Sequence, residues 1–437
     1  MRNPRLIKSL VFVATLAIGS LALNGCSGTG GSSTLDTKAP VTLTWWTGQA
    51  DQEEALLVKM AADFHKLHPN VTINVSSGAP TTDDLLQKIS AGFASNQYPD
   101  ISYAYGSWTG QLASSGKMLD ITKQVAEPSV KWDQFPASGR LTASPGGKTI
   151  GFPADIDNLT LIYNKTLFDK AGLAYPTNDW TWDQYRADAK VLTDSAKQIY
   201  GTAYPVDGSE DTTWRMWPLL WQRGGQILKS NDTKAAFDSQ AGVDSLDFLR
   251  SMAVTDKSVY LDQTDAKFEP LFAAGRIGMI IDGPWLLSSL KQAHTNYGVT
   301  YLPGYNGNHT TVSGPDVWAL FNHQDANRSY WSFQLAKWMT DPVQDARYNL
   351  SQGNLPMRPV AEQDLPQYKA FLKEYPGVEV MIANFANVVY ARPTVQGYPA
   401  LSTAIGKAIE DVLQGQGTSQ AALTQAATTA NKSLAKG

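Results

Sequence analysis

Between residues 41 and 105 the chain switches repeatedly between two hydrophobic periods. VTLTWWTG (41–48) is a β-branched, alternating run closed by glycine. DQEEALLVKMAADFHKL carries apolar residues near i, i+3, i+4 and i+7 and ends at His68-Pro69. VTINVSS returns to the strand period, TTDDLLQKISAGFAS reads as a helix with a threonine cap, and YPDISYAY starts a third strand. Strand, helix, strand, helix, strand at this spacing predicts a parallel sheet with crossover helices, and so an α/β fold. Further on, GKTIGFPADIDNLTLIYNKTLFDKAGL reads as a turn, two strands and a helix, and Thr181 caps a helix over TWDQYRADAKVLT. FEPLFAAGRIGMIIDGPWLLSSL is a helix, a glycine turn, a buried strand and a second helix opening at Pro284. VSGPDVWALFN is another strand, RSYWSFQLAKWMT a helix, and the remainder is mostly helical. No internal repeat is evident. Some 400 residues of this pattern exceed one typical core, so two lobes are expected.

The ends carry a different message. Arg2, Arg5 and Lys8 precede the apolar run LVFVATLAIGSLAL, which has signal-peptide length but is too short to span a bilayer. It ends in Leu23-Asn24-Gly25-Cys26, which resembles a bacterial lipobox, with Asn24 departing from the usual small or β-branched residue. Cys26 is the sole cysteine, so neither a disulfide framework nor a cysteine metal cluster can form. Residues 1–25 are therefore expected to be a lipoprotein signal and Cys26 the lipidation site. The Gly/Ser/Thr-rich stretch 26–39 is expected to be a flexible tether. Acylation would hold the protein on the outer face of the cytoplasmic membrane. The long tether favours a Gram-positive surface over a Gram-negative periplasm. The formal charge of −4 becomes −7 once the three signal cations are removed. That dispersed acidic balance argues against a nucleic-acid partner, which would need a basic patch.

Several tempting motifs fail. GGKT at 146–149 lacks the earlier glycine of a phosphate-binding loop, since position 142 is Thr, and a strand rather than a helix follows. His65, His68, His294, His309 and His323 include no pair at a metal-ligand spacing with acidic company, so no metal and no cofactor is expected. No Gly-x-Ser-x-Gly elbow is present. Asp155 and Asp157 would face the same side of a strand, both in a pocket or both in solvent. Nothing in the sequence sets the carboxylate separation that a surface glycosidase would require, and the chain is not expected to be an enzyme.

Five blocks, in order from about residue 40 onward, carry a resemblance: YPDISYAYGSW (98–108), FPADIDNLTLIYNKTLFDKAGL (152–173), FAAGRIGMIIDGPW (272–285), SGPDVWALF (313–321) and GYPALSTAIGKAIEDVLQGQ (397–416). Together they resemble the extracellular solute-binding proteins that serve sugar ABC importers, the group that includes maltose-binding protein. The resemblance implies a two-lobed periplasmic-binding-protein type II fold with mixed sheets flanked by helices. It places the first lobe at 40–153 plus 312–358 and the second at 154–311 plus 359–437. The ligand would lie between the lobes, which would close around it for recognition by importer permease subunits. The protein is expected to act as a monomer.

The residue chemistry agrees with that implication. Sugars offer C–H faces that stack on aromatic rings, and hydroxyls that need carboxylate or amide partners. With 13 Trp and 18 Tyr, this chain has several aromatics beside polar groups at strand ends. Trp45, Trp46 and Gln49 end the first strand, and Tyr105, Ser107 and Trp108 follow the third. Asp155 and Asp157 sit near a lobe crossing. By the resemblance, Gln49, Ser107, Trp108, Asp157, Trp214 and Trp285 fall where the family's sugar contacts occur. Arg358 and Tyr398, in returning loops, and Asp316, which could instead brace a turn, complete the set. Trp45 and Trp46 face opposite ways on a strand, so one of them at most should reach the ligand. Gln49 and Ser107 stand where maltose-type relatives carry acids, so the same ligand is not implied. A polyamine, a glycerophosphodiester or a metal chelate in the same cleft are the alternatives: polyamines would want several acids, phosphates would want Arg, Lys or helix N-termini.

Overall fold

The computed structural model describes residues 34–435, apart from 50, 80, 81, 83 and 264–266. The signal, Cys26 and the start of the tether lie outside the described residues. Among the described residues there are ten strands: β1 (Val41–Trp46), β2 (Val71–Ser76), β3 (Ile101–Ala104), β4 (Gly151–Asp155), β5 (Thr160–Asn164), β6 (Thr202–Pro205), β7 (Val259–Asp262), β8 (Met279–Asp282), β9 (Tyr297–Thr300) and β10 (Asp316–Leu320).

The expected parallel unit forms. β1 pairs in parallel with both β2 and β3, and the helices Asp51–Leu67 and Asp84–Ser95 make the crossovers. Its sheet continues through β10 and β4 in the order β2-β1-β3-β10-β4. β10 runs antiparallel to both neighbours, so the sheet is mixed. This strand comes from far along the chain and is buried at every position, as its continuous apolar run implies. A second sheet has the order β8-β5-β9, all antiparallel, and β6 pairs with β7 in parallel. β6, β7 and β9 go beyond the strands expected from sequence; they are four residues each and lack a long alternating run.

Two bodies of apolar packing result. The first gathers Leu43, Trp45, Phe64, Phe152 and Trp318, with contributions from 41–156 and 317–357. The second is built on β5, whose alternate residues face two clusters: Leu161 and Tyr163 join Trp217, Tyr398 and Ile405, while Ile162 joins Phe272, Leu287 and Phe371. Two of the predicted helix starts are in place. Thr181 and Gln184 form a reciprocal capping box, and Pro284 opens a helical turn. Among the described residues no helix is long and apolar enough to cross a membrane.

The chain passes between the bodies after β4 and again before β10, and the two passages are laced together. Leu159 N donates to Val312 O at 3.1 Å, Thr311 Oγ1 to Leu159 O at 2.7 Å, and Ser313 Oγ to Asp157 O at 2.6 Å. A later return is tied to the same place, because Asn349 Nδ2 donates to Ala154 O at 3.1 Å.

One buried carboxylate ties three elements of the first body. Asp100, 1% exposed, accepts from Thr44 N on β1 and takes both arms of Arg328 at 2.7 and 2.8 Å. It thus ties two strands to the helix Ala326–Met339. Removing it leaves a backbone N–H and a guanidinium without their partner. Asp100→Ala is expected to lower the unfolding free energy by about 3 kcal/mol in urea titration; a loss below about 1 kcal/mol would show that Arg328 is satisfied elsewhere.

Candidate ligand cleft

A cavity of about 390 Å³ opens where the two bodies meet, within the range of small-molecule sites. From the first body come Gln49, Glu53, Tyr103, Tyr105, Asp155 and Asp316; from the second, Glu210, Asp211, Trp214, Trp285 and Arg392. Asp157 and Gly314, on the two laced passages, lie between them.

The aromatic side depends on local backbone. Ser209 caps the short helix Glu210–Trp214 by accepting from Asp211 N, which carries Trp214 to the cavity wall. Trp214 donates from Nε1 to Asp211 Oδ1 at 3.1 Å, and its ring centroid lies 5.9 Å from that of Trp285 at 30°. A Cβ at Gly283 would meet the Trp285 ring at 1.9 Å, so only glycine there lets the ring fold back over the turn. Arg392 sits 5.3 Å from the Trp214 ring and pairs with Glu210 at 2.8 Å. Glu210 is braced in turn by Tyr398, whose hydroxyl donates to it at 3.0 Å, and by Ser402.

The acidic side is crowded. Asp155 and Asp316 are direct partners across β4 and β10, with a register shift immediately after Asp316. The Tyr103 hydroxyl lies 2.8 Å from Asp155 Oδ2 and 2.6 Å from Asp316 Oδ2. Gly106 N donates to Asp316 Oδ1 and Gly314 N to Asp157 Oδ1, at 2.8 and 2.6 Å. Burial, reinforced by the neighbouring Asp316 and Asp157 charges, holds the Asp155 carboxyl well above the usual range. Burial first and then Asp316 push Asp157 up to about 7, against the Gly314 hydrogen bond and Arg392. Burial lifts Asp316 to about 6, although Arg392, Tyr103 and Gly106 pull the other way.

Of the residues singled out from sequence, Gln49, Tyr105, Asp155, Asp157, Trp214, Trp285 and Asp316 line this cavity. Six are placed elsewhere. Trp45 is fully buried edge-on against Trp318 at 5.2 Å, and Trp46, on the opposite face, lies under Lys88 Nζ. The alternation holds, but neither ring lines the cavity. Trp108 is buried behind Tyr105 at 4.6 Å, and Ser107 is 2% exposed. Arg358 lies over the Phe135 ring at 4.1 Å, away from the cavity, and Tyr398 reaches it only through Glu210. Glu210, Asp211 and Arg392 were missed. The acid-rich DGSED run at 207–211, just before Trp214, is the signal that could have found the first two.

The family described as bacterial extracellular solute-binding protein matches residues 59–380. A binding protein of Brucella abortus is 25% identical over 395 residues, covering 85% of this chain and 88% of its own. The structure of a cyclic α-maltosyl-1,6-maltose binding protein from Arthrobacter globiformis superposes with a TM-score of 0.76 at 23% identity, covering 91% of this chain and 100% of the other. UgpB from Mycobacterium tuberculosis, in complex with glycerophosphocholine, gives 0.80 at 16% identity, with coverages of 91% and 99%.

Carboxyl groups whose pKa is raised by folding stabilise the fold while protonated. That contribution is complete below the ordinary carboxylate range and is lost as pH rises through the folded value, about 7 for Asp157. The melting temperature of the ligand-free protein is therefore expected to fall between about pH 5 and pH 8, and to fall by roughly 2–4 °C less in Asp157→Asn. Scanning calorimetry across that window checks this, and parallel slopes for the two proteins would contradict it.

Proposed function

The chain belongs to the bacterial extracellular solute-binding protein family, and on that premise we propose that it captures a carbohydrate in the cleft between its lobes and delivers it to an ABC importer. Its lobes would divide near the laced passages at 156–159 and 311–314 and close by rotation about them. Cys26 would carry the lipid that keeps the receptor beside its permease. The observation that carries the reading is the pairing of an aromatic wall, Trp214 with Trp285, and a facing set of hydroxyl acceptors, Asp155, Asp157 and Asp316, in one cavity. Ring faces take sugar C–H surfaces and carboxylates take hydroxyl protons. Gln49 supplies an amide that both donates and accepts. The maltosyl-maltose named for the Arthrobacter protein supports the same class of ligand.

A second reading, a glycerophosphodiester, is favoured by the likeness to the glycerophosphocholine complex. Against it stands the cavity's charge. Among the described lining residues Arg392 is the single cation, and Glu210 already holds it. A phosphate would meet mostly carboxyl groups, an arrangement that rejects anions.

Titration of a panel of neutral and amino oligosaccharides, followed by tryptophan fluorescence and calorimetry, is expected to find a ligand that perturbs Trp214 and Trp285. Trp285→Ala should weaken that ligand by about tenfold or more. No response to any sugar, with a response to glycerophosphocholine, would sink the carbohydrate assignment in favour of the second reading.

A further inference from the structure

Among the described residues seven carboxyl side chains line the cavity against one cationic side chain, Arg392. On the second body two of three are answered by cations, Asp211 by Arg215 at 2.9 Å and Glu210 by Arg392 at 2.8 Å, while Asp207 accepts from Ser209 N and the Thr212 hydroxyl. On the first body and the passages they are not. Asp155, Asp157 and Asp316 make no ion pair within 4 Å among the described residues. Two of them are directly opposite each other on neighbouring strands, an arrangement that is destabilising for like charges.

Hydrogen bonding sharpens the point. Tyr103 is buried and keeps its proton, held there by burial and by the adjacent carboxyls. One phenol proton cannot serve both Asp155 Oδ2 at 2.8 Å and Asp316 Oδ2 at 2.6 Å. Both contacts are bonds only if one carboxyl carries a proton of its own. Asp155 Oδ1, on a residue that lines the cavity, has no hydrogen-bond partner among the described residues. A buried acceptor left without a donor is a cost that an ionised Asp155 bears most heavily.

We propose that the captured ligand is an amino sugar or aminocyclitol-bearing saccharide whose protonated amine seats against Asp155, Asp157 and Asp316. The proposal rests on the carbohydrate reading above and narrows it. A neutral hydroxyl brings one donor and no charge. An ammonium brings three donors, reaches several carboxylates at once, and replaces the proton that Asp155 and Asp316 must otherwise share. Trp285, backed by Trp214 on the same cavity wall, offers an aromatic surface on which the sugar ring attached to the amine can stack. The site thus couples charge and shape: the amine answers the acids, the ring fills the aromatic side.

Calorimetry on the full secreted chain with four probes tests this: the glucosamine trimer, its N-acetylated counterpart, maltotriose and glycerophosphocholine. The glucosamine trimer is expected to bind about tenfold or more tightly than either neutral trimer. The preference should collapse towards parity in Asp155→Asn. Its amide keeps an oxygen for the Tyr103 hydroxyl, so the variant is expected to melt near the parent. Salt supplies a readout without any variant: raising the ionic strength roughly tenfold should weaken the amine trimer severalfold and leave neutral-trimer affinity nearly flat. If a neutral trimer binds as tightly as the amine, the cation site falls while sugar capture stands. If glycerophosphocholine outbinds all three, or nothing binds, the carbohydrate reading falls and this inference with it.

Discussion

The lacing of two chain passages at Asp157–Leu159 and Thr311–Gly314 is the constraint on which the rest of the structure depends. Backbone and side-chain bonds join them at 2.6 to 3.1 Å, and Asp157 sits within the lace with its Oδ1 on Gly314 N. The same residue therefore belongs to the connection between the bodies and to the cavity they enclose. A side chain at Gly314 would crowd Trp214, Arg392 and Asp157, each at about 3 Å from its Cβ. A change of angle between the bodies must be absorbed near these passages, and Asp157 would register it.

The cavity is assembled against local preference. Carboxyls facing each other on paired strands, an acceptor without a donor, and buried carboxyls that must ionise as the pH rises through neutrality all oppose stability. The remainder of the molecule compensates through ordinary means: Asp100 clamped by Arg328, β5 buried on both faces, and close-packed tryptophans such as Trp217 and Trp318. Places where a sequence works against its own fold are where function is expected. In the proposed account the opposing terms are relieved when ligand arrives, which makes capture favourable without demanding many contacts.

Much of this was legible in the sequence. The period-two and period-3.6 runs of 41–104 give the parallel unit directly, and Asp155 and Asp157 reach one cavity as alternate positions on an extended chain should. Trp45 and Trp46 show the limit. Their opposite orientations follow from the strand alone, but which space each side opens onto depends on Trp318 from β10 and Lys88 from a crossover helix. Glu210 and Arg392 are further out of reach. They are 182 positions apart, Arg392 lies in an irregular stretch, and only the folded chain brings them to 2.8 Å. Arg358 and Tyr398 were singled out for their chemistry, yet packing on Phe135 and bonding to Trp217 claim them for the interior.

The central claim is capture by closing lobes. Small-angle scattering of the protein, without ligand and then saturated with whichever oligosaccharide binds most tightly, tests it directly. The account predicts a smaller radius of gyration in the saturated protein, from rotation about the laced passages. Saturation that leaves the scattering curve unchanged would contradict it and make the cavity a rigid site.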